Sequence, residues 1–155
     1  MAELLNQVGL RQQRIYFCSN ARCLLVHRNP TSLLIFKTML VHRPWGTYET
    51  LLDDDNYKVK RIIILPQQQI SLQYHNDREE HWTIVSGSGT VRVGDDTFKA
   101  SIGSRFFINK RQIHRATADR DSHLVFVEVQ LGDCKEDDIV RLEDQYGREG
   151  FKYED

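Results

Sequence analysis

Gln73-Tyr74-His75-Asn76-Asp77-Arg78-Glu79-Glu80-His81-Trp82-Thr83-Ile84-Val85-Ser86-Gly87 sets an amide, two imidazoles, three carboxylates and a guanidinium beside a Trp and a β-branched run. Alternation over Ile70 to His75 predicts a strand on which Gln73 and His75, two apart, share one face. Asn76-Asp77 is a turn signal, and Trp82 to Val85 predicts the next strand, with Glu80, Trp82 and Ile84 on a common face. Polar chemistry this dense beside strand material marks a site rather than plain surface.

The same texture extends in both directions. Upstream, Pro44-Trp45-Gly46 punctuates the entry to a strand at Tyr48 to Leu52, which ends in the acidic turn Asp53-Asp54-Asp55-Asn56. Tyr57 to Leu65 forms a further strand, stopped by Pro66. Downstream, Ser86-Gly87-Ser88-Gly89 leads into Thr90 to Val93, and Gly94-Asp95-Asp96 turns the chain into Thr97 to Ala100. Arg105 to Ile108 and Leu124 to Gln130 follow. Short strands at intervals of roughly ten residues, with glycine turns and almost no helix, predict an all-β sandwich or barrel.

The two ends say less. Leu4, Leu5 and Val8 are spaced for a short helix face, and Ile15 to Phe17, Cys23 to Val26 and Leu33 to Phe36 for brief strands. Cys18, Cys23 and His27 offer part of a zinc ligand set, but the spacing is looser than a zinc finger's and no second half follows, so buried thiols are the better reading. The segment from Gly132 is acidic and polar, with one or two helical turns expected over Glu136 to Leu142. The domain division that follows is an N-terminal extension at 1–40, a strand-rich domain at 41–131 and an acidic C-terminal extension at 132–155 packed on it.

The 155 residues suffice for one domain with its own core, and the net charge of -1 mixes both signs along the chain. That balance supplies neither an electrostatic footprint for nucleic acid nor a polybasic membrane segment. The longest apolar runs are too short to span a bilayer, no secretory leader pattern opens the chain, and three widely spaced cysteines suit reduced thiols. The expectation is a soluble cytoplasmic protein whose partner is a small molecule or another protein.

With its inward face taken as the barrel interior, the opening stretch converges an amide oxygen from Gln73, an imidazole from His75 and a carboxylate from Glu80. One more imidazole from a distant strand completes a mixed N/O site for a divalent ion, and His114 is the natural candidate. His81, adjacent to Glu80, faces the other way; His27, His42 and His123 are weaker.

The spacing Gln73-x-His75-x4-Glu80-x6-Gly87, followed by Gly103-x10-His114, resembles the two motifs of the cupin superfamily. That family folds as a double-stranded β-helix, a jelly-roll β-sandwich. Arg43-Pro44-Trp45-Gly46-x-Tyr48, Val59-Lys60, Leu72-Gln73-x-His75, Arg78-x-Glu80-His81-Trp82, His114-Arg115, Glu128-Val129-Gln130 and Asp137-Asp138-Ile139-Val140-Arg141 together resemble type II phosphomannose isomerase. In bacteria this domain is commonly the C-terminal half of an enzyme that also carries mannose-1-phosphate guanylyltransferase. No Gly-rich nucleotide loop is present, so GTP chemistry is not carried over. Gln73 in place of a first His is typical of that family. Departures stand at Asn76 and Asp77, where histidines are usual, at Gln67, where Gly follows the proline, and at Asn109 and Arg111, where the second cupin motif carries Pro and Gly.

The resemblance implies a divalent metal, zinc first, with manganese, cobalt or magnesium as alternatives, held by Gln73, His75, Glu80 and His114. It implies interconversion of mannose 6-phosphate and fructose 6-phosphate through a cis-enediol, in carbohydrate metabolism and polysaccharide biosynthesis, and a homodimer, as cupins often pair by strand exchange. Isomerisation needs a base, for which Glu79 and Lys60 are candidates. Arg78 matches a family arginine and is assigned to phosphate binding or enediolate stabilisation, Arg115 is a second phosphate candidate, and Trp82 is a core aromatic or a wall of the sugar pocket. Two other readings stand beside this one: a non-catalytic cupin that binds sugars or sugar phosphates, and a metal cupin acting on another sugar derivative.

Overall fold

The structure is a computed structural model that describes residues 40–150. The helix and strands expected over residues 4–36, and the weighing of Cys18, Cys23 and His27, lie outside the described residues. Eleven strands run in order as β1 (Leu40–Arg43), β2 (Gly46–Asp54), β3 (Tyr57–Ile64), β4 (Leu72–His75), β5 (Arg78–Gly87), β6 (Gly89–Val93), β7 (Asp96–Ala100), β8 (Arg105–Ile108), β9 (His114–Ala118), β10 (Leu124–Gly132) and β11 (Ile139–Glu143). They form a six-stranded sheet, β1-β2-β3-β10-β5-β8, and a five-stranded sheet, β11-β4-β9-β6-β7. All pairings are antiparallel, and the two sheets face each other as a double-stranded β-helix.

Period-two alternation sorts each strand between core and outside. Lys60, Ile62 and Ile64 of β3 are buried, as are Arg78, Glu80, Trp82 and Ile84 of β5 and Leu124, Phe126, Glu128 and Gln130 of β10. Register sets these rows side by side: Leu124 and Phe126 oppose Ile64 and Ile62, Glu128 lies between Lys60 and Trp82, and Gln130 opposes Glu80. The inner face is therefore apolar at one end and charged at the other. At the apolar end Trp82 packs on Phe126, ring centroids 4.6 Å apart, over the small Ala116 and Ala118 of β9 and Val91 of β6.

Two glycines hold the ends of the β5–β10 ladder. Gly87 has φ +76°, and a Cβ there would lie 1.7 Å from the His123 carbonyl oxygen; Gly132 has φ +116°, with a Cβ 2.4 Å from that of Asp77. Gln67 and Arg111, which stand where the resemblance expects glycine, adopt φ of 62° and 63°. A side chain in this left-handed region costs roughly 1–2 kcal/mol per residue. Arg111 keeps its position through its backbone N–H, which donates to the His75 carbonyl at 2.6 Å.

The C-terminal segment departs from expectation. Among the described residues helical geometry is confined to a single 3₁₀ turn at Glu136–Asp138, and Ile139–Glu143 forms β11, paired with β4 so that Arg141 opposes Gln73 and Ile139 opposes His75. The β-branched Ile139 and Val140 find an open sheet edge there, and strand pairing wins over a short helix that nothing caps. Among the described residues no helix is long and apolar enough to cross a membrane.

Candidate metal centre and its cavity

The charged end of the inner face opens into a cavity of about 540 Å³ of atom-free space, its mouth included. Gln73 and His114 are direct cross-strand partners, His75 follows two residues on, and Glu80 reaches across from the other sheet. His75, Glu80 and His114 are buried, with ligand atoms all within 4.8 Å of one another. His75 Nε2 lies 3.0 Å from Glu80 Oε1, His114 Nε2 lies 3.5 Å from Glu80 Oε2, and Gln73 Nε2 lies 3.5 Å from His114 Nε2 while its Oε1 accepts from Ser71 Oγ at 2.6 Å.

This set fits a divalent ion. Bonds of about 2.1 Å to N and O ligands put neighbouring donors roughly 3.0–3.4 Å apart, and His75 and His114 stand close to that spacing from Glu80, at 3.0 and 3.5 Å. The chemistry of the donors agrees. Burial, opposed by the Glu80 charge, pushes His114 down to about 4, so its imidazole is neutral near pH 7. Its Nδ1 lies 2.9 Å from the Gln112 carbonyl, which assigns the proton there and turns the Nε2 lone pair inward. Burial would raise the Glu80 carboxyl, but His75, His114 and Arg78 outweigh it and hold it well below the usual carboxylate range. His75 Nδ1 is buried with no hydrogen-bond partner among the described residues.

Around these four side chains lie supports and cations. Arg78 is 2% exposed; its Nε donates to Glu80 Oε1 at 3.1 Å and its Nη1 to the Lys135 carbonyl at 2.7 Å, with Nη2 3.3 Å from His75 Nε2. Asp138 accepts the backbone N–H groups of Asn76 and Asp77 at 2.9 and 3.1 Å, which fastens the β4–β5 turn under the 3₁₀ turn. Lys60 is buried in an ion pair with Glu136 and lies 4.9 Å from the Tyr48 ring centroid, with Arg43 at 5.4 Å. The cavity is lined by five cations, Arg43, Lys60, Arg78, Arg141 and Arg148, against three carboxyls, Glu80, Glu128 and Glu136. Such an excess favours an anionic ligand.

Gln73, His75, Glu80, His114, Arg78 and Lys60 thus come together, whereas three other expected site residues do not. Glu79 is on the opposite face of β5, 3.7 Å from His81 Nε2, because its neighbours Arg78 and Glu80 take the inward positions. Arg115 likewise points out between the inward His114 and Ala116, and binds Glu143 through its carboxylate at 3.1 Å and its carbonyl at 3.2 Å. Trp82 is 1% exposed and belongs to the core rather than the cavity wall; its indole N–H reaches Glu80 and Glu128.

Glu128, Gln130 and Arg141 stand in the motifs of the family resemblance but received no role from the sequence, and all three line the cavity. The signal for the first two was phase: they continue the inward row of Leu124 and Phe126 as polar residues. Glu128 is pushed up to about 8 by burial first and the nearby Glu80 charge second. Arg141 was legible only once β11 was placed beside Gln73.

Fold and site together define a cupin in which buried His75, Glu80 and His114 form a cluster that could hold a metal ion. Solved structures with this fold include the capsular polysaccharide assembling protein CapF from Staphylococcus aureus, with TM-score 0.61 at 19% identity, covering 74% of this chain and 37% of CapF. Another is a cupin-2 domain protein from Rhodospirillum rubrum, with TM-score 0.60 at 16% identity, covering 77% and 85%. The model of the family described as mannose-6-phosphate isomerase C-terminal matches residues 34–144, and the chain belongs to that family. The alginate biosynthesis protein AlgA of Pseudomonas aeruginosa is 40% identical over 109 residues, 70% of this chain and 23% of AlgA. A mannose-1-phosphate guanylyltransferase of Salmonella muenchen is 37% identical over 112 residues, 72% of this chain and 24% of that protein. The chain therefore spans about a quarter of the length of these curated relatives.

Proposed function

We propose that this chain is a metal-dependent sugar-phosphate isomerase interconverting mannose 6-phosphate and fructose 6-phosphate through a cis-enediol. The observation that carries the reading is the cluster of His75, Glu80 and His114, with Gln73 beside it, next to a cavity that Gln73 and Glu80 line and that carries excess positive charge. Family membership supports the substrate class, and the names of the AlgA and xanthan biosynthesis relatives support a place in polysaccharide precursor supply. A divalent ion held by Gln73, His75, Glu80 and His114 would supply Lewis acidity toward the sugar carbonyl and its neighbouring hydroxyl.

The protein's own groups divide the remaining work. Arg43 and Arg141 at the cavity take the phosphate by charge-assisted hydrogen bonds, with Arg148 near them. Arg78, whose guanidinium donates to Glu80 and to the Lys135 carbonyl, positions the Glu80 ligand. Glu128 replaces Glu79 as the base: its carboxylate takes the proton from C2 of the aldose and returns it to C1, while the hydroxyl proton on O2 passes to O1 as the carbonyl moves from C1 to C2. Lys60 is neutralised by Glu136 and is unsuited to that step. An acid near 8 both accepts and releases a proton around neutral pH.

The test combines metal analysis with a coupled mannose 6-phosphate assay. The expected result is one divalent ion per chain, turnover lost on chelation and restored by zinc, manganese or cobalt, and loss of both ion and turnover in His114→Ala. Wild-type turnover that persists under chelation and in His114→Ala would overturn the metal-dependent reading; sugar-phosphate binding without turnover in the metal-loaded protein would assign the chain to the binding class instead.

A further inference from the structure

Gln130 stands on β10 at the centre of the charged end, 1% exposed and lining the cavity. Its Nε2 donates to Glu128 Oε1 at 2.7 Å and to Glu80 Oε1 at 3.3 Å. Those two bonds use both protons of the amide nitrogen. The opposite orientation of the amide would set its oxygen against the ionised Glu80, which only accepts, so the amide has one sustainable orientation. Trp82 Nε1 closes the arrangement from the other side, donating to Glu80 Oε2 at 3.2 Å and Glu128 Oε2 at 2.8 Å.

What remains is Gln130 Oε1, a buried acceptor with no hydrogen-bond partner among the described residues. A buried carbonyl left without a donor is destabilising, and such atoms in native proteins are matched by something that enters the site. The rest of the amide is locked, so Oε1 is a buried acceptor of fixed position on a residue that lines the cavity. It suits an O–H donor and rejects a carbonyl or carboxylate oxygen.

We infer that Gln130 accepts a hydrogen bond from one hydroxyl of the bound sugar phosphate, its amide held in that orientation by Glu80 and Glu128. This rests on the sugar-phosphate reading above and adds to it the residue that selects among sugars by hydroxyl. A site built to bind a hydroxyl discriminates against the analogue that lacks it, since the acceptor is then stranded.

The test uses the full zinc-loaded chain and 1,5-anhydromannitol 6-phosphate, which lacks the anomeric hydroxyl and does not isomerise, with its 2-, 3- and 4-deoxy derivatives, titrated by calorimetry. In the wild type one deoxy derivative is expected to bind about 10- to 100-fold more weakly than the parent. In Gln130→Met that gap is expected to shrink to less than about threefold, within the scatter of pairwise measurements. Equal binding of all derivatives by the wild type would mean that water rather than sugar satisfies Oε1 and would overturn the inference, as would a gap that survives in Gln130→Met. Failure of the wild type to bind the parent compound at all would overturn the sugar-phosphate reading, and this inference with it. If Gln130→Met does not fold or load zinc, the side-chain amide resonances of Gln130 in the wild type decide: a shift on binding the parent that the weakly bound deoxy derivative does not reproduce supports the inference, and the same shift with both overturns it.

Discussion

Glu79, Glu80 and Glu128 are carboxyls of the same intrinsic acidity that strand parity sends to three different places. Glu79 meets solvent and His81, Glu80 joins the imidazoles, and Glu128 lies behind Glu80 under Trp82 and Gln130. Glu128→Gln keeps the shape and the acceptor for Trp82 but cannot carry a proton. It is expected to lower kcat by about 10²- to 10⁴-fold with the ion still bound, whereas Glu79→Gln leaves kcat within about twofold, as substitutions at exposed sites generally do; steady-state kinetics with metal analysis on both variants checks this. The grouping of His75 with Glu80 was legible in the sequence because spacing on a strand and across a tight turn fixes which side chains share a face. Glu128 and Arg115 show the limit of that legibility. Parity is readable only when a strand's phase is known, and the phase of His114–Ala118 was invisible without its partners β4 and β6.

At the scale of elements, the central strands announced themselves through alternation and glycine turns, and β11 did not. Ile139–Glu143 is short, mixed in polarity and lies outside the apolar run of the core, so only the open edge of β4 makes it a strand. The segment after it is closed by Asp144, which accepts from Arg148 three times: from Nε at 2.8 Å, from Nη2 at 2.7 Å and from the backbone N–H at 2.8 Å. Burial would raise the Asp144 carboxyl, and the bonds from Arg148 more than offset it, leaving the group below its ordinary value. A folded pKa lower than the unfolded one, about 3.9, means that the ionised carboxyl stabilises the fold above that pH and that the contribution is lost as pH falls through the folded value. Asp144→Asn is therefore expected to cost about 2 kcal/mol at pH 7 and to differ progressively less from wild type below about pH 4. Urea unfolding of both proteins from pH 7 to 3 measures the gap; a gap independent of pH would show that packing, not charge, holds the segment.

Across the whole molecule, the apolar end of the sandwich carries the folding energy and the charged end holds the chemistry. Lys60, His75, Arg78, Glu80, His114 and Glu128 are all buried there, and desolvating charged groups is costly even when they are paired. A net stability of only about 5–15 kcal/mol makes such a cluster a heavy load on a domain of this size. An ion bound to the folded chain and absent from the unfolded one shifts that balance by mass action. At a free zinc concentration about 100 times the dissociation constant, the gain is about 2.7 kcal/mol, which in a chain of this length raises Tm by roughly 10 °C. Calorimetric melts of chelator-treated protein with and without added zinc are expected to show that rise in the wild type and to lose it in His114→Ala, which removes a ligand. Asp144→Asn lies outside the donor set, so it should lower Tm in both conditions while keeping the zinc-dependent increment. Equal Tm values for wild type with and without zinc would mean that the buried charges satisfy one another and that the ligand cluster is a structural network rather than a metal site.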